Sequence, residues 1–367
     1  MKYFWQHKDF PNFSFDVTSL LDAIESFAVQ LGEVNGLYKG LNRQEQEDFL
    51  IQITLSEAMK TSEIEGEYFS RIDIMSSIRN QLGIQNHLPQ TRDKKAKAIA
   101  KLMLQVRNDY NVVLTTDVIQ NWHSILFQDD RTINAGQWRT GTEPMQIISG
   151  SFGNIQVHYE APPSQSVPLL MEEFVKWYNS FSFDGLGKVG QAMLRTSLAH
   201  LYFETIHPFE DGNGRIGRAI SEKALAQTLE IPLYISLSKK IEENKKQYYA
   251  ALKEAQKSKN ITDWLNYFFD IIIQAEKEVK ETIVFTIEKS KFFDSYKTQL
   301  NERQAKTIQK MLEYGKDGFE GGMTAKKYIS INNTSKATAT RDLQELTQIG
   351  VFVTKGSGRS VRYELNF

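Results

Sequence analysis

Apolar residues recur every three or four positions through most of this 367-residue chain, which is the spacing of amphipathic helices. The clearest such stretches are residues 97–110, 168–181, 191–206 and 261–279. A further helix is expected within residues 43–67, and Gly66 is expected to end it, because glycine is the commonest residue just beyond a helix. The pattern therefore predicts a mainly α fold.

Two segments depart from the helical spacing. Residues 145–164 surround a glycine-rich middle and stop at a Pro-Pro pair, which predicts a β-hairpin; we call it the flap, and it runs from Gln146 to Tyr159. Near the C-terminus, residues 352–367 alternate like two strands around Gly356 and Gly358. Three short helical patterns precede them, at residues 301–315, 324–331 and 334–351. Three helices followed by a hairpin is the order of a winged helix-turn-helix, an α+β arrangement.

These changes of pattern divide the chain into three predicted domains. They are an N-terminal helical domain at residues 1–95, a larger helical core at 96–290 and the winged-helix candidate at 300–367. The length is sufficient for two or three domains of ordinary size.

Composition narrows the classes of function. The formal net charge is −1, which argues against attraction of the whole chain to nucleic acid or to an anionic membrane. Cysteine is absent, which excludes disulfides, a thiol nucleophile and a zinc-thiolate site. The sequence has no signal-peptide core and no apolar run of about 18 residues, so we expect a soluble cytoplasmic protein without a membrane span.

The chemistry of the chain is concentrated in the segment HPFEDGNGRIGR, residues 207–218. His207 follows the helical stretch at 191–206, and an imidazole with a reference pKa of about 6.5 suits a general base. We expect Asp211 or Asn213 to cap the helix that follows. Taken singly, each of these residues is more often structural, so the argument rests on their combination.

The same segment has the parts of a phosphate site. A helix N-terminus attracts anions, and Gly212 and Gly214 let the backbone approach a phosphate. Arg215 and Arg218 are three positions apart and share one face of the helix. Asp211 supplies a carboxylate for Mg²⁺, which proteins bind through one or two carboxylates plus substrate phosphates. The sequence therefore predicts chemistry on a metal-bound polyphosphate, although the Walker pattern is missing.

The segment resembles the signature of the Fic/Doc family, HPFx[D/E]GNGRxxR, and matches it at every specified position. The resemblance implies a helical core that transfers AMP from ATP, with Mg²⁺, to a Ser, Thr or Tyr hydroxyl of a target protein, which includes the chain itself. Relatives that transfer phosphate instead have lysine at the position of Gly214, so glycine there favours adenylyl transfer.

The resemblance also assigns roles to residues. His207 would deprotonate the target hydroxyl, Asp211 would bind Mg²⁺, and Phe209 would be a buried anchor. The nucleotide-binding residues that it implies in the motif are Gly212, Asn213, Gly214, Arg215, Ile216, Gly217 and Arg218. Within this set, Arg215 is expected at the β- and γ-phosphates and Arg218 at the γ-phosphate.

A second motif, TSEIEG at residues 61–66, resembles the inhibitory pattern [S/T]xxxE[G/N] of the same family through Thr61 and Glu65. A carboxylate at a helix C-terminus favours a cationic partner, and the family implies Arg218. Glu65 would then occupy the position of the γ-phosphate. The alternative is a solvated surface acid. Some relatives use this glutamate to remove AMP again, so a de-AMPylating hydrolase stays open.

Two further segments resemble parts that contact nucleotide or target in this family. In the flap, which would hold the target segment by strand pairing, they are Val157, His158, Tyr159 and Glu160. Downstream, the resemblance implies an adenine pocket in which Tyr248 or Tyr249 stacks on the base and Gln256 reaches its edge. An ordinary exposed hairpin and a pair of core tyrosines are the alternatives.

The winged-helix candidate is mildly basic, with 11 Lys/Arg and 7 Asp/Glu over residues 301–367. The residues that would face DNA phosphates are Lys336 and Arg341 on the third helix and Lys355, Arg359 and Arg362 on the hairpin. The partner is either DNA or a protein, which includes a second copy in a homodimer. A DNA-binding regulator that uses the Fic core only as a nucleotide sensor is the alternative from another class; His207 and Asp211 argue against it.

Overall fold

The computed structural model describes residues 2–84, 91–149, 156–232, 234–316 and 318–367. Its helices are α1 Leu21–Lys39, α2 Arg43–Ile64, α3 Arg71–Gln81, α4 Lys94–Asn108, α5 Thr116–Phe127, α6 Val167–Ser180, α7 Lys188–Ile206, α8 Asn213–Leu229, α9 Leu237–Glu243, α10 Lys245–Ala255, α11 Thr262–Tyr296, α12 Glu302–Leu312, α13 Ala325–Asn332 and α14 Lys336–Gln348. Its strands are β1 Gln146–Ser149, β2 Gln156–Glu160, β3 Phe352–Lys355 and β4 Arg362–Leu365. The prediction of a mainly α fold is confirmed.

The chain divides into two compact units, and the division into three domains stays a prediction. One unit comprises Met1–Asn35 and Ile53–Val279, and the other comprises Gly36–Gln52 and Lys280–Phe367. The N-terminal segment joins the first unit through backbone pairing that no local pattern reveals. The N–H of Phe4 donates to the carbonyl of Gln256 at 2.8 Å, which fixes the segment beside the end of α10.

The centre of the first unit is the helix pair α7 and α8, which carries the motif between its two members. Every residue from Ala192 to Ile206 in α7 is buried, and so are most residues of α8. A helix that is buried on all sides lies in the core rather than at the surface. The turn that carries the motif is therefore attached to two buried helices of the unit.

The flap consists of β1 and β2, which pair antiparallel with Gln146 opposite Glu160 and Ser149 opposite Gln156. A bulge between Ile147 and Ile148 shifts the register. Its tip lies outside the described residues. Among the described residues, no helix combines the length and apolar character needed to cross a membrane.

The second unit contains α12, α13 and α14 followed by the antiparallel pair β3 and β4, the order of elements that the sequence predicts. Its core includes Ile308, Leu343 and Phe352. The buried carboxylate of Asp342 accepts hydrogen bonds from Arg303 and from the hydroxyl of Tyr328, so its charge is matched inside the unit. The assignment of these elements to the winged-helix family stays a prediction.

Candidate active site

The motif begins where α7 ends. His207 is the first residue beyond the helix and has a left-handed backbone conformation (φ 51°), while its N–H still donates to the carbonyl of Phe203 at 2.9 Å. Pro208 follows and cannot continue a helix because it has no N–H to donate. The imidazole is therefore presented at the end of a buried helix rather than along its side.

The predicted side-chain cap of α8 is wrong. The N-cap residue is Gly212 (φ 78°), and neither Asp211 nor Asn213 bonds to the first amides of the helix. Asn213 instead turns back, accepting from the N–H of Phe209 and donating to its carbonyl, both at 2.9 Å. The Asp211 carboxylate accepts from the N–H of Gly212 at 2.5 Å. With its polar side chains committed to the turn, the start of α8 has no side-chain cap.

An aromatic stack supports this turn from the core side. The ring of Phe209 is buried and lies parallel to that of His123, with centroids 3.9 Å apart. His123 contacts the carbonyl of Asp211 through Nε2 at 3.2 Å and accepts from the N–H of Gly136 through Nδ1 at 2.8 Å. Burial lowers the pKa of His123 to about 4, so the ring is neutral at pH 7. Sequence analysis did not single out His123.

A neighbouring aromatic ring leaves no room for a side chain at Gly212, in addition to the positive φ that favours glycine there. A Cβ atom at Gly212 would lie 2.5 Å from the ring of Phe127, closer than any side chain permits. The position was predicted to be bare because a phosphate approaches it. In the structure a neighbouring aromatic ring already requires the absence of a side chain.

Arg139 fixes the backbone of the motif, and sequence analysis missed it. This buried guanidinium donates to the carbonyls of His207 (2.7 Å), Ile206 (3.2 Å) and Pro162 (2.6 Å) and to the hydroxyl of Ser164 (2.8 Å). It thereby ties the end of α7 to the segment that follows the flap. No local signal marks Arg139, because it lies in a stretch without helical or strand periodicity.

A buried carboxylate stands beside the imidazole of His207. Oε2 of Glu204 lies 3.7 Å from Nδ1 of His207, and their side chains are 5% and 12% exposed. Burial by itself would raise the pKa of Glu204, but the neighbouring histidines and Arg218 lower it, so the group is ionised. A carboxylate on this side favours the tautomer with the proton on Nδ1 and leaves the lone pair on Nε2.

Two of the predicted nucleotide-binding positions face the core. Ile216 is fully buried, and a Cβ atom at Gly217 would lie 2.4 Å from Oε1 of Glu204. Gly217 therefore makes room for the carboxylate that lies beside His207.

The predicted contact between residues 61–66, which resemble the inhibitory pattern, and Arg218 of the motif is present in the structure. Nη2 of Arg218 donates to Oε1 of Glu65 at 2.8 Å, and its Nε donates to the hydroxyl of Thr61 at 2.8 Å. Arg218 is 1% exposed, and the carboxylate of Glu65 raises its pKa further although burial opposes the charge. A Cβ atom at Gly214 would lie 2.3 Å from the same Oε1, so the carboxylate rests directly on the bare backbone of α8.

The way in which α2 ends determines the backbone conformation of residues 65–67. The helix stops at Ile64, as predicted, and Gly66 has a positive φ of 80°. The N–H of Glu67 then donates to the carbonyl of Ser62 at 3.0 Å, which closes the helix. Glu67 forms an ion pair with Nη1 of Arg215 at 2.5 Å. Both arginines of the motif are therefore paired with carboxylates that follow α2.

The flap and α10 enclose a cavity of about 530 Å³ that the predicted adenine-binding residues border. Tyr249 and His158 line it, and Tyr249 is 42% exposed. Tyr248 is instead buried and bonds to Nε2 of His200 at 2.8 Å, so its ring belongs to the core. Gln256 borders the cavity, but its amide donates to the carbonyl of Glu204 at 3.1 Å.

The predicted flap residues also differ in whether they bond to the rest of the fold or border the cavity. The hydroxyl of Tyr159 donates to the carbonyl of Thr205 at 2.6 Å and anchors the hairpin to α7. The carbonyl of Glu160 accepts from the indole of Trp5 at 2.9 Å. Val157 is half-buried on the same strand. Tyr159 and Glu160 thus hold the flap in place, and His158 and Tyr159 are the residues of this strand that border the cavity.

The residues present fit a magnesium ion that is bound mainly by substrate. Among the described residues, no group of three His, Asp or Glu side chains is arranged to hold a metal alone. The side chain of Asp211 is 59% exposed and lies 3.7 Å from Nη2 of Arg215, beside the start of α8. One accessible carboxylate next to an anion site suits Mg²⁺, which completes its coordination with phosphates and water.

Comparison with known proteins shows which protein families two segments of the chain match. Residues 113–225 match the model of the Fic/DOC family, and residues 3–84 match a domain of unknown function (DUF4172). A probable protein adenylyltransferase of Aquifex aeolicus is 31% identical over 98 residues, 27% of each chain. The protein adenylyltransferase Fic of Drosophila grimshawi is 30% identical over 151 residues, 39% of this chain and 29% of that one. The chain thus spans between a quarter and a third of the length of these curated relatives.

Solved structures share the fold over a larger part of the chain. A Fic family protein from Desulfovibrio desulfuricans aligns with a TM-score of 0.54 at 17% identity, covering 97% of this chain and 98% of the other. Fic-1 from C. elegans aligns with a TM-score of 0.50 at 18% identity, covering 74% and 76%. The family match includes the whole motif from His207 to Arg218, so residues 113–225 form a Fic/DOC family domain.

Proposed function

We propose that this chain transfers AMP from ATP to a hydroxyl side chain of a target protein and that Glu65 inhibits the reaction. One observation carries the proposal: the Glu65 carboxylate rests on the backbone of Gly214 and pairs with Arg218 at 2.8 Å. A protein anion thus occupies the position predicted for a phosphate of ATP. The names of the relatives, protein adenylyltransferases at about 30% identity, support the same reaction.

The start of α8 supplies the phosphate-binding groups. It has no side-chain cap, and a helix N-terminus with free amides attracts anions. Arg215 and Arg218 flank it and would bind the outer phosphates once their carboxylates leave. Asp211 would hold Mg²⁺, which when bound neutralises negative charge on the phosphates.

His207 is the base of the proposed reaction. Oε2 of Glu204, 3.7 Å from Nδ1, would favour the tautomer with the proton on Nδ1, which leaves Nε2 to accept the proton of the target hydroxyl. The hydroxyl oxygen forms a bond to the α-phosphorus, the bond from that phosphorus to the bridging oxygen of the β-phosphate breaks, and pyrophosphate leaves. Arg139 keeps the imidazole in place by holding the carbonyl of His207 at 2.7 Å.

The cavity between the flap and α10 would hold the nucleotide base. Tyr249 offers an accessible ring for stacking, and His158 borders the same space. The target segment would add to the flap as an extra strand, since backbone pairing binds extended peptides without strong demands on their sequence. The cytoplasmic location and a homodimer stay predictions.

Incubation with α-labelled ATP tests the proposal. We expect the Glu65→Gly variant to label protein, itself included, more strongly than the wild type, because Arg218 becomes available to the γ-phosphate. The double variant Glu65→Gly/His207→Ala should label nothing. Equal labelling of all three proteins would refute the assignment.

The two open alternatives are outcomes of the same experiment. Loss of AMP from pre-labelled protein with wild type, but not with Glu65→Gly, would establish a de-AMPylating hydrolase. ATP binding that His207→Ala leaves intact, with no transfer by any variant, would favour a nucleotide sensor.

Duplex DNA is the partner we propose for the second unit, because an exposed face of α14 is basic. Lys336 and Arg341 are exposed there, and neither forms an ion pair with another described residue. The nearest acid of the helix, Asp342, is buried and paired with Arg303. Lys355 extends the basic surface onto the hairpin, where Arg362 is paired with Glu364 at 3.2 Å, and the side chain of Arg359 lies outside the described part.

Salt dependence tests this second proposal. The full chain should bind a fluorescent mixed-sequence duplex, and reversal of Lys336 and Arg341 to Glu should reduce the slope of log affinity against log salt by about two. The matched control reverses Lys306 and Lys310 on α12. Absence of duplex binding, or an equal loss with both pairs, would contradict the proposal and favour a protein partner.

A further inference from the structure

Glu67 makes the same kind of contact with the motif as Glu65. Its Oε2 accepts from Nη1 of Arg215 at 2.5 Å, and its Oε1 accepts from Nζ of Lys95 on α4 at 2.8 Å. We propose that Glu67 is a second inhibitory carboxylate, which withholds Arg215 from the nucleotide as Glu65 withholds Arg218. This inference rests on the proposed adenylyl transfer, because it assumes that Arg215 binds phosphate.

The ending of α2 presents the two carboxylates to the two arginines. The positive φ of Gly66 (80°) reverses the chain between Glu65 and Glu67, and the bond from the N–H of Glu67 to the carbonyl of Ser62 locks that turn. Arg215 and Arg218 lie one turn apart on α8. Each carboxylate therefore pairs with a different arginine, and the inhibitory segment occupies both cationic groups of the phosphate site.

The second pair is sheltered enough to compete with a phosphate. The side chains of Arg215 and Glu67 are 7% and 24% exposed, so water screens their attraction less than it screens a surface ion pair. Arg215 has few other partners. Its Nη2 lies 3.7 Å from Asp211, the residue expected to hold Mg²⁺. A phosphate that forms an end-on, two-pronged contact with Nη1 and Nη2 of Arg215 must first take Nη1 from Glu67.

The carboxylate of Glu67 also has space into which it can withdraw. Glu67, Lys95, Phe127 and Arg215 line a cavity of about 450 Å³. Lys95 is 58% exposed and can follow the carboxylate outward without breaking their contact. Release of Arg215 therefore needs a change of side-chain rotamers rather than movement of a helix.

ATP affinity in a background without Glu65 tests the proposal. Calorimetry with ATP and Mg²⁺ compares Glu65→Gly with Glu65→Gly/Glu67→Gln and Glu65→Gly/Glu67→Ala, two changes that remove the charge in different ways. We expect both double variants to bind about tenfold more tightly, which corresponds to about 1.4 kcal/mol. The matched control is Glu65→Gly/Glu63→Gln, because Glu63 lies in the same segment but pairs with Lys60. It should bind like Glu65→Gly.

Two other results would overturn the inference while leaving the proposed function intact. Unchanged affinity in both Glu67 variants would mean that this ion pair does not compete with nucleotide. Weaker binding would mean that Glu67 positions Arg215 for the phosphate. In either case Glu65→Gly would still label protein with AMP. Failure of Glu65→Gly itself to bind or transfer would refute the proposed function, and the inference with it.

Discussion

Arg139 offers the sharpest test of how the fold supports the chemistry. Replacing it with Met keeps most of the side-chain volume and removes every hydrogen bond that it donates. The acceptors left behind are the carbonyls of His207, Ile206 and Pro162 and the hydroxyl of Ser164. They lie around the end of α7, where His207 has a left-handed backbone (φ 51°) that a non-glycine residue adopts only when neighbours impose it.

The size of the expected loss of stability follows from the hydrogen bonds that the substitution removes. Each buried acceptor left without a donor costs about 1–3 kcal/mol, but the folded protein no longer has to bury a guanidinium, which offsets part of that cost. All four acceptors are uncharged, so no buried charge is left unpaired, and we expect a net loss of about 3 kcal/mol, at the upper end of what single substitutions usually cost. Folded domains have only about 5–15 kcal/mol of stability, so the change should be plain in a denaturant titration.

The assay combines urea unfolding with AMP labelling in the Glu65→Gly background. We expect Arg139→Met to lose stability and, because a displacement of about 1 Å costs roughly 100-fold in rate, to lose labelling as well. The matched control is Arg131→Met, an exposed arginine of the same loop, which should change stability by less than about 0.5 kcal/mol. His207→Ala should lose labelling and keep stability. If Arg139→Met unfolded like the wild type and labelled normally, the supporting role of Arg139 would be refuted.

Three further outcomes follow from the site. Burial lowers the pKa of His123 to about 4, and the unfolded chain therefore binds the proton more readily than the folded one. The free energy of unfolding should be highest above about pH 6.5 and should fall as the pH drops towards 4, by up to about 1.4 kcal/mol per pH unit. Urea titrations of His123→Gln should show a weaker dependence on pH, and an unchanged dependence would contradict this. Thr61→Val removes the 2.8 Å hydrogen bond from Arg218, so on the proposed inhibition AMP labelling should lie between that of the wild type and that of Glu65→Gly. Labelling at the wild-type level would count against it. Tyr249→Ala should raise the KM for ATP by up to about tenfold, because the ring that stacks on the base is lost. Tyr248→Phe should leave the KM unchanged and lower the free energy of unfolding by about 1 kcal/mol, because a buried hydrogen bond is lost. The reverse result would exchange the roles of the two tyrosines.

Local patterns located the helices but not the capping of α8. Helical spacing over residues 97–110 and 191–206 matches α4 and α7 closely, since amphipathic periodicity is a property of neighbouring residues. The side-chain cap was predicted from residue preference alone. In the structure the amide of Asn213 satisfies the backbone of Phe209 instead, because that backbone is buried and needs a partner.

The sequence by itself determined the chemistry of the motif, because its base, glycines and arginines are contiguous between His207 and Arg218, and one turn followed by one helix is enough to bring them together. Only the tertiary structure decided which groups surround that turn. The hydrogen bond from Arg139 to the carbonyl of His207 joins residues 68 positions apart in the sequence, and the contact of Arg215 with Glu67 joins residues 148 positions apart. No periodicity encodes such pairings, because they depend on how the helices pack and on which buried charges that packing brings within hydrogen-bond distance.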